Sequence, residues 1–218
     1  MLQFEHVSKR YQGTHEVLTD VSFVLSPGEM TFLTGHSGAG KSTVLKLSAL
    51  IEKTHQGRIL LAGQNVNHVK EAQIPYLRRK MGLIFQDYKL LHDRTVFDNV
   101  ALPMVVSGYS YQDISKRVRA ALDKVGLLGK EHKYPLSLSG GEQQRIAIAR
   151  AVVNKPELIL ADEPTGNLDP ELSAEIMKLF TQFAQVGVSI LVATHDIGLI
   201  QQMGRRVIKL NHGRLVAS

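Results

Sequence analysis

The chain has 218 residues, 44% hydrophobic and 21% charged, enough apolar content for a sizeable core in one large domain. It contains no cysteine, which excludes disulfides and cysteine-based zinc sites, and its nine histidines are scattered without metal-ligand spacing. The net charge of +6, from 26 basic and 20 acidic side chains, is compatible with nucleic acid, an anionic lipid surface, a polyphosphate ligand or a plain solvated surface, because the basic residues are dispersed. The start, MLQFEHVSKRY, is charged almost at once, and no stretch approaches the roughly 18 apolar residues of a membrane span, so neither a signal peptide nor a transmembrane helix is expected.

In chain order, Gln3–Val7 and Val17–Leu25 read as strands joined by a turn around Gly13. Met30–Gly35 is a buried strand that runs into a glycine loop, and KSTVLKLSALI behind it reads as a helix. Met81–Gln86, Leu158–Glu163 and Val188–His195 are nearly continuous apolar runs, the pattern of parallel strands covered on both faces. Between the first two of these, from about Asp87 to Tyr134, the pattern is helical, with N-caps expected at Thr95 or Asp93 and at Ser110. The tail RVIKLNHGRLV reads as a hairpin turning at Asn211–Gly213. The expected fold is therefore an α/β, P-loop-type domain with a mostly parallel central sheet, an N-terminal antiparallel β part and an inserted helical subdomain. The expected division is 1–86 and 136–218 for the core and about 87–135 for the insert.

Two motifs carry chemistry on their own residues. Gly35-His36-Ser37-Gly38-Ala39-Gly40-Lys41-Ser42, followed by Thr43, matches G-x-x-x-x-G-K-[ST] between a strand and a helix. Its glycines let backbone N–H groups turn inward on phosphates, Lys41 reaches the β and γ oxygens, and Ser42 offers a hydroxyl to Mg²⁺. In Leu158–Glu163 a buried strand ends in two acids, which suits a cationic partner at its tip. Asp162 is placed to hold Mg²⁺ through water, and Glu163 to act as general base on an attacking water. Gln86 and His195 each end an apolar strand, and Tyr11 could stack on a purine; each is a weak signal alone.

A third feature is LSLSGGEQQR, Leu136 to Arg145, a glycine pair at a helix start that resembles an anion-binding turn but has no lysine. Taken together, these stretches resemble the ATP-binding-cassette ATPases over the whole chain. The resemblance implies that Gly35–Thr43 is the Walker A loop, Gln86 the Q-loop glutamine and a Mg²⁺ ligand with Ser42 and Asp162, and Leu158–Asp162 the Walker B strand. It implies that Glu163 is the catalytic glutamate, His195 the switch histidine and Tyr11 the adenine-stacking aromatic. Leu138, Ser139, Gly140, Gly141 and Glu142 would be the signature, and Asn167, Leu168 and Asp169 the D-loop.

Such cassettes pack head to tail, the signature of one closing on the ATP held by the other. The missing lysine would then come from a second copy, which implies a two-fold homodimer with two composite sites. Segments such as LIFQDYKLLHDRTVFDNVALP resemble the cell-division branch of the family, which implies a peripheral ATPase on the cytoplasmic face of the bacterial inner membrane. Its partner would be an integral membrane protein of the FtsX type, docking near Gln86–Val100, where Tyr88, Leu90, Leu91 and Phe97 could line a groove. A lipoprotein-release or macrolide-export transporter is the alternative. Nucleic acid is not expected, since this chain has neither the second cassette nor the coiled-coil insert of the soluble nucleic-acid branch. The stretch LSALIEKTHQG departs from the usual pattern, which has glycine at Leu50 and proline at Thr54.

Overall fold

The computed structural model describes residues 1–13, 15–166 and 168–216. The first strands, β1 (Leu2–Arg10) and β2 (Glu16–Leu25), pair antiparallel around Gly13 and are joined by β4 (Gln56–Leu61) and β5 (Gln64–Asn65) in a four-stranded sheet of order β2-β1-β4-β5. The second sheet contains β3 (Met30–Thr34), β6 (Met81–Ile84), β7 (Leu158–Asp162), β8 (Ser189–Ala193), β9 (Arg206–Asn211) and β10 (Arg214–Val216). Its order is β10-β9-β3-β8-β7-β6, parallel throughout except for the final β9–β10 hairpin.

Side chains on the parallel strands alternate between two cores, as the pleat requires. Ile159 and Ala161 of β7 and Ile190 and Val192 of β8 enter one; Leu158, Leu160, Leu191 and Ala193 enter the other. The second core is closed by α1 (Lys41–Ser48) and by Phe4, Leu18 and Leu25 of the antiparallel sheet. The first is closed by α3 (Val96–Val106), α4 (Tyr111–Lys124), α5 (Gly140–Val152), α6 (Pro170–Gln185) and α7 (Ile197–Met203). With β6 and β7 buried on both faces, their continuous apolar runs are accounted for.

The helical stretch after Gln86 holds α3 and α4, N-capped by Thr95 and Ser110, each accepting from an N–H of its own first turn. The helix expected behind the glycine loop is shorter than its sequence suggests, ending at Ser48. Leu50, at the position where glycine is usual, takes a left-handed φ of 57°. The Arg78 guanidinium, from the short α2 (Ile74–Arg78), holds that turn by donating to the carbonyls of Ala49 at 3.2 Å and Leu50 at 2.7 Å. Thr54, the other departure, accepts a hydrogen bond from the Asn67 amide at 2.7 Å. Strands β4 and β5 were not expected. Gln56-Gly57-Arg58 opens β4 with polar residues and glycine, so no apolar alternation marks it.

Candidate functional site

The end of β3, the glycine loop and the start of α1 form one wall of a cavity of about 520 Å³. His36–Thr43 line it together with Val17, Gln86, Asp162, Glu163 and His195. Four separate strand ends thus deliver the motif residues to one place, at the carboxyl edge of the parallel sheet where ligands of open α/β folds bind. Gly40 takes φ 106°, and a Cβ there would lie 2.6 Å from Leu18 Cδ2, so the loop can curl this tightly only with glycine. Lys41 Nζ lies across the loop, donating to the carbonyls of Gly35 at 2.8 Å and His36 at 3.3 Å. A triphosphate fits by exchange: its oxygens would replace these two carbonyls as acceptors for the ammonium.

Beside the start of α1, burial pushes the Asp162 carboxyl pKa above its ordinary value, with the Ser42 hydroxyl acting the other way and the Glu163 charge adding to the rise. A desolvated carboxylate beside a hydroxyl is a fitting place for a hard divalent cation, which would restore the ionised form. Glu163 follows with φ 46°, its N–H bonded to the Ala193 carbonyl at 2.9 Å. This backbone turns the carboxylate toward His195, whose Nδ1 stands 2.7 Å from Glu163 Oε1. The Glu163 side chain is only 11% exposed, whereas His195 is 73% exposed, so the histidine is the solvent-facing member of the pair.

Ser139, Gly140, Gly141 and Glu142 do not line this cavity. They form the first turn of α5, with Ser139 and Gly140 at the surface. At Gly141 an added Cβ would meet Leu172 Cδ2 at 2.4 Å, so a larger residue there would have to push that side chain aside. In the neighbouring loop Leu168 packs against the first core, and Asp169 caps α6 by accepting from the Leu172 N–H at 2.9 Å. Asn167 lies outside the described residues. Tyr11 is not among the cavity's lining residues; its ring lies 4.9 Å beneath the Lys9 ammonium.

The expected docking residues are placed differently from the sequence reading. Leu90 is buried at 7% exposure, and Tyr88 and Phe97 pack against the same core, leaving Leu91 as the exposed member. Asn99, fully buried, causes this. Its amide donates to the carbonyls of Leu91 and Thr95, both at 2.9 Å, and accepts from the Leu91 N–H at 2.8 Å, which pulls the segment inward. A groove of about 450 Å³ lies next to it instead, lined by Pro75, Arg79, Leu83, Phe85, Leu102 and Val106, with Arg78, Lys89 and Arg150 at hand.

Sequence reasoning also missed Arg150. From α5 its guanidinium donates to the carbonyls of Tyr88 at 2.6 Å and Lys89 at 2.7 Å, two successive residues with left-handed φ of 59° and 48°. A basic residue on a helix carries no signal that it will serve a loop 61 positions away.

These elements, a phosphate loop, a paired acid strand and a remote glycine turn on one parallel sheet, define an ATP-binding cassette. The chain belongs to the ABC transporter family, whose family model matches residues 18–166. It is 57% identical over 215 residues to the cell division ATP-binding protein FtsE of Escherichia coli K12, covering 99% of this chain and 97% of that one. To the FtsE of Bacillus subtilis 168 it is 43% identical over 216 residues, covering 99% and 95%. Among solved structures it superposes on the dimeric ABC transporter cassette MJ0796 with a TM-score of 0.92 at 33% identity, covering all of this chain and 97% of that one. The same TM-score is found for a dimeric post-hydrolysis state of MJ0796 bound to ADP and phosphate, at 32% identity. Among the described residues no helix is long and apolar enough to cross a membrane.

Proposed function

We propose that this chain is the ATPase subunit of a bacterial cell-division complex, working as a homodimer that closes on two ATPs and passes that motion to an integral membrane partner of the FtsX type. The observation that carries the dimer is the placement of the signature. It is exposed and outside the cavity of its own protomer, so only a second copy can bring a signature to the phosphates. The dimeric cassettes of similar fold support this.

In this reading the loop N–H groups and Lys41 hold the β- and γ-phosphates, while Ser42, Asp162 and Gln86 hold Mg²⁺. The metal supplies charge neutralisation on the phosphate oxygens. Glu163 accepts a proton from the attacking water as its oxygen bonds to the γ-phosphorus, and the β–γ bridging P–O bond breaks to leave ADP. His195 orients the Glu163 carboxylate and reaches the γ-phosphate from the exposed side. Tyr11 and Val17 would meet the adenine, and the D-loop residues Leu168 and Asp169 would face the second copy.

Closure from 1:99 to 99:1 requires about 5.5 kcal/mol of differential binding. Shared over two sites this is about 2.7 kcal/mol each, within the reach of one or two charge-assisted hydrogen bonds from Ser139 and the Gly140–Gly141 amides.

Docking is assigned to the Leu102–Val106 groove, whose apolar floor suits the apolar face of an amphipathic helix. With such a partner the chain would work at the cytoplasmic face of the inner membrane, as the FtsE relatives support. The helical subdomain, about 87–135, would be the moving part, with α5 joining it to the core because α5 packs on α3 and α4 and on β6 of the core sheet.

Glu163→Gln tests the scheme. ATP binding is expected to persist while turnover falls roughly 10²–10⁴-fold, as loss of a general base predicts, and an ATP-dependent dimer accumulates. Brisk turnover in that variant, or a species that stays monomeric with ATP, overturns it.

A further inference from the structure

We propose that Lys130 is a positioning residue for the signature turn, holding the Glu142 carboxylate so that the Ser139 hydroxyl can pass from Glu142 to a γ-phosphate carried by a second copy of the chain. The inference rests on the in-trans reading of the signature. It starts from a capping box at the head of α5. Glu142 Oε2 accepts from the Ser139 backbone N–H at 2.9 Å and from its hydroxyl at 3.1 Å, while Ser139 Oγ accepts from the Glu142 N–H at 3.3 Å. The one proton that Ser139 could give a phosphate is therefore spent on its own helix.

A phosphate oxygen bonded to that hydroxyl would also come within about 6 Å of a carboxylate, by the two hydrogen-bond lengths. Both obstacles meet the same side chain. Lys130 donates to the other carboxylate oxygen, Oε1 of Glu142. The Glu142 side chain is 16% exposed, so water reaches the carboxylate only in part and the ammonium adds counter-charge. When the hydroxyl rotates outward, the carboxylate keeps Lys130 and the Ser139 N–H, and no buried acceptor is left unpaired. Lys130, followed at once by the Ser139 N–H, also holds the Glu142 carboxyl below its usual range, keeping it an acceptor.

The lysine comes from a braced segment. The short turn Leu128–Lys130 follows α4, and the next residue, Glu131, takes two bonds from the Arg119 guanidinium, at 3.1 and 3.2 Å. The Glu131 and Lys133 carbonyls accept from the N–H groups of Phe97 and Val96 at the start of α3. Lys130 is thus tied to α3 and α4, and its ion pair is a link by which the position of those helices acts on the signature.

The test measures ATP-dependent dimerisation by sedimentation in the Glu163→Gln background, with ATP affinity of the dilute monomer measured separately. Lys130→Met is expected to weaken dimerisation about tenfold while monomer affinity stays within about twofold, and the defect should shrink in high salt as the bare carboxylate is screened. Lys130→Arg should restore dimerisation. Adding Glu142→Gln to Lys130→Met should recover most of it, because glutamine keeps the box without the charge. Dimerisation of Lys130→Met equal to the parent, or no recovery in either rescue variant, overturns the proposal. Ser139→Ala separates it from the reading beneath: if that variant dimerises normally, the in-trans signature itself is wrong. If Ser139→Ala fails and Lys130→Met does not, only the lysine's role is.

Discussion

Replacing Arg150 by methionine keeps an unbranched apolar stem and removes the two donors. The structure gives both sides of the balance. Two hydrogen bonds from a charged donor, at 2.6 and 2.7 Å, are worth about 1.5–3 kcal/mol each, a gross loss of roughly 3–6 kcal/mol. Against this, burial lowers the Arg150 pKa, so methionine is relieved of a desolvation cost. The loop also gains, since Tyr88 and Lys89 at φ 59° and 48° store about 1–2 kcal/mol each, which they release once unheld. The net loss of global stability is expected to be only about 1–2 kcal/mol, most of the change being local. Gln86 stands two residues before the released loop, and displacing it by about 1 Å is expected to lower kcat roughly ten- to a hundredfold. Urea unfolding, amide exchange across residues 87–91 and steady-state ATPase kinetics measure the three effects. Arg150→Lys, which can reach one carbonyl but not clasp both, should fall between. Unchanged exchange in that loop with a normal kcat would refute the idea that Arg150 holds it.

Asp162→Asn is expected to abolish turnover and to stabilise the nucleotide-free protein at neutral pH. Its carboxyl pKa is raised in the fold, so the ionised form costs stability that appears as pH rises through the ordinary aspartate range toward the raised value; below that range the carboxyl is neutral in both states. Thermal unfolding of the two proteins from pH 7 down to pH 4 should therefore show a gain for Asn that fades with acidification, and a constant difference would count against desolvation as the cause. Val106→Glu places a charge at a residue 65% exposed on the rim of the apolar groove. The fraction of the chain recovered with membranes is expected to fall severalfold while the isolated protein still binds ATP. Undiminished membrane recovery would move the partner elsewhere.

Local chemistry was legible in the chain itself. The glycine loop could be read because its conformation depends on residues within it. The helix start at Gly140–Gly141 could be read from its glycine pair, whereas the capping box that Ser139 and Glu142 close there emerged only from the structure. Buried parallel strands showed as apolar runs, and Thr95 and Ser110 marked the helices they cap. Tertiary structure alone decided what depends on distant partners. The burial of Leu90 follows from Asn99, since a helix asparagine gives no sign that it will bind the loop before it. Strand β4 exists because β1 offers an edge to pair with, β5 adds to β4 in turn, and their own sequence does not alternate. Arg150 meets Tyr88 and Lys89, and Lys130 meets Glu142, only once the helices have packed. The physical reason is the same throughout. Periodicity and capping are written in neighbouring residues, whereas a long cation's partner is chosen by where the fold leaves unpaired oxygens.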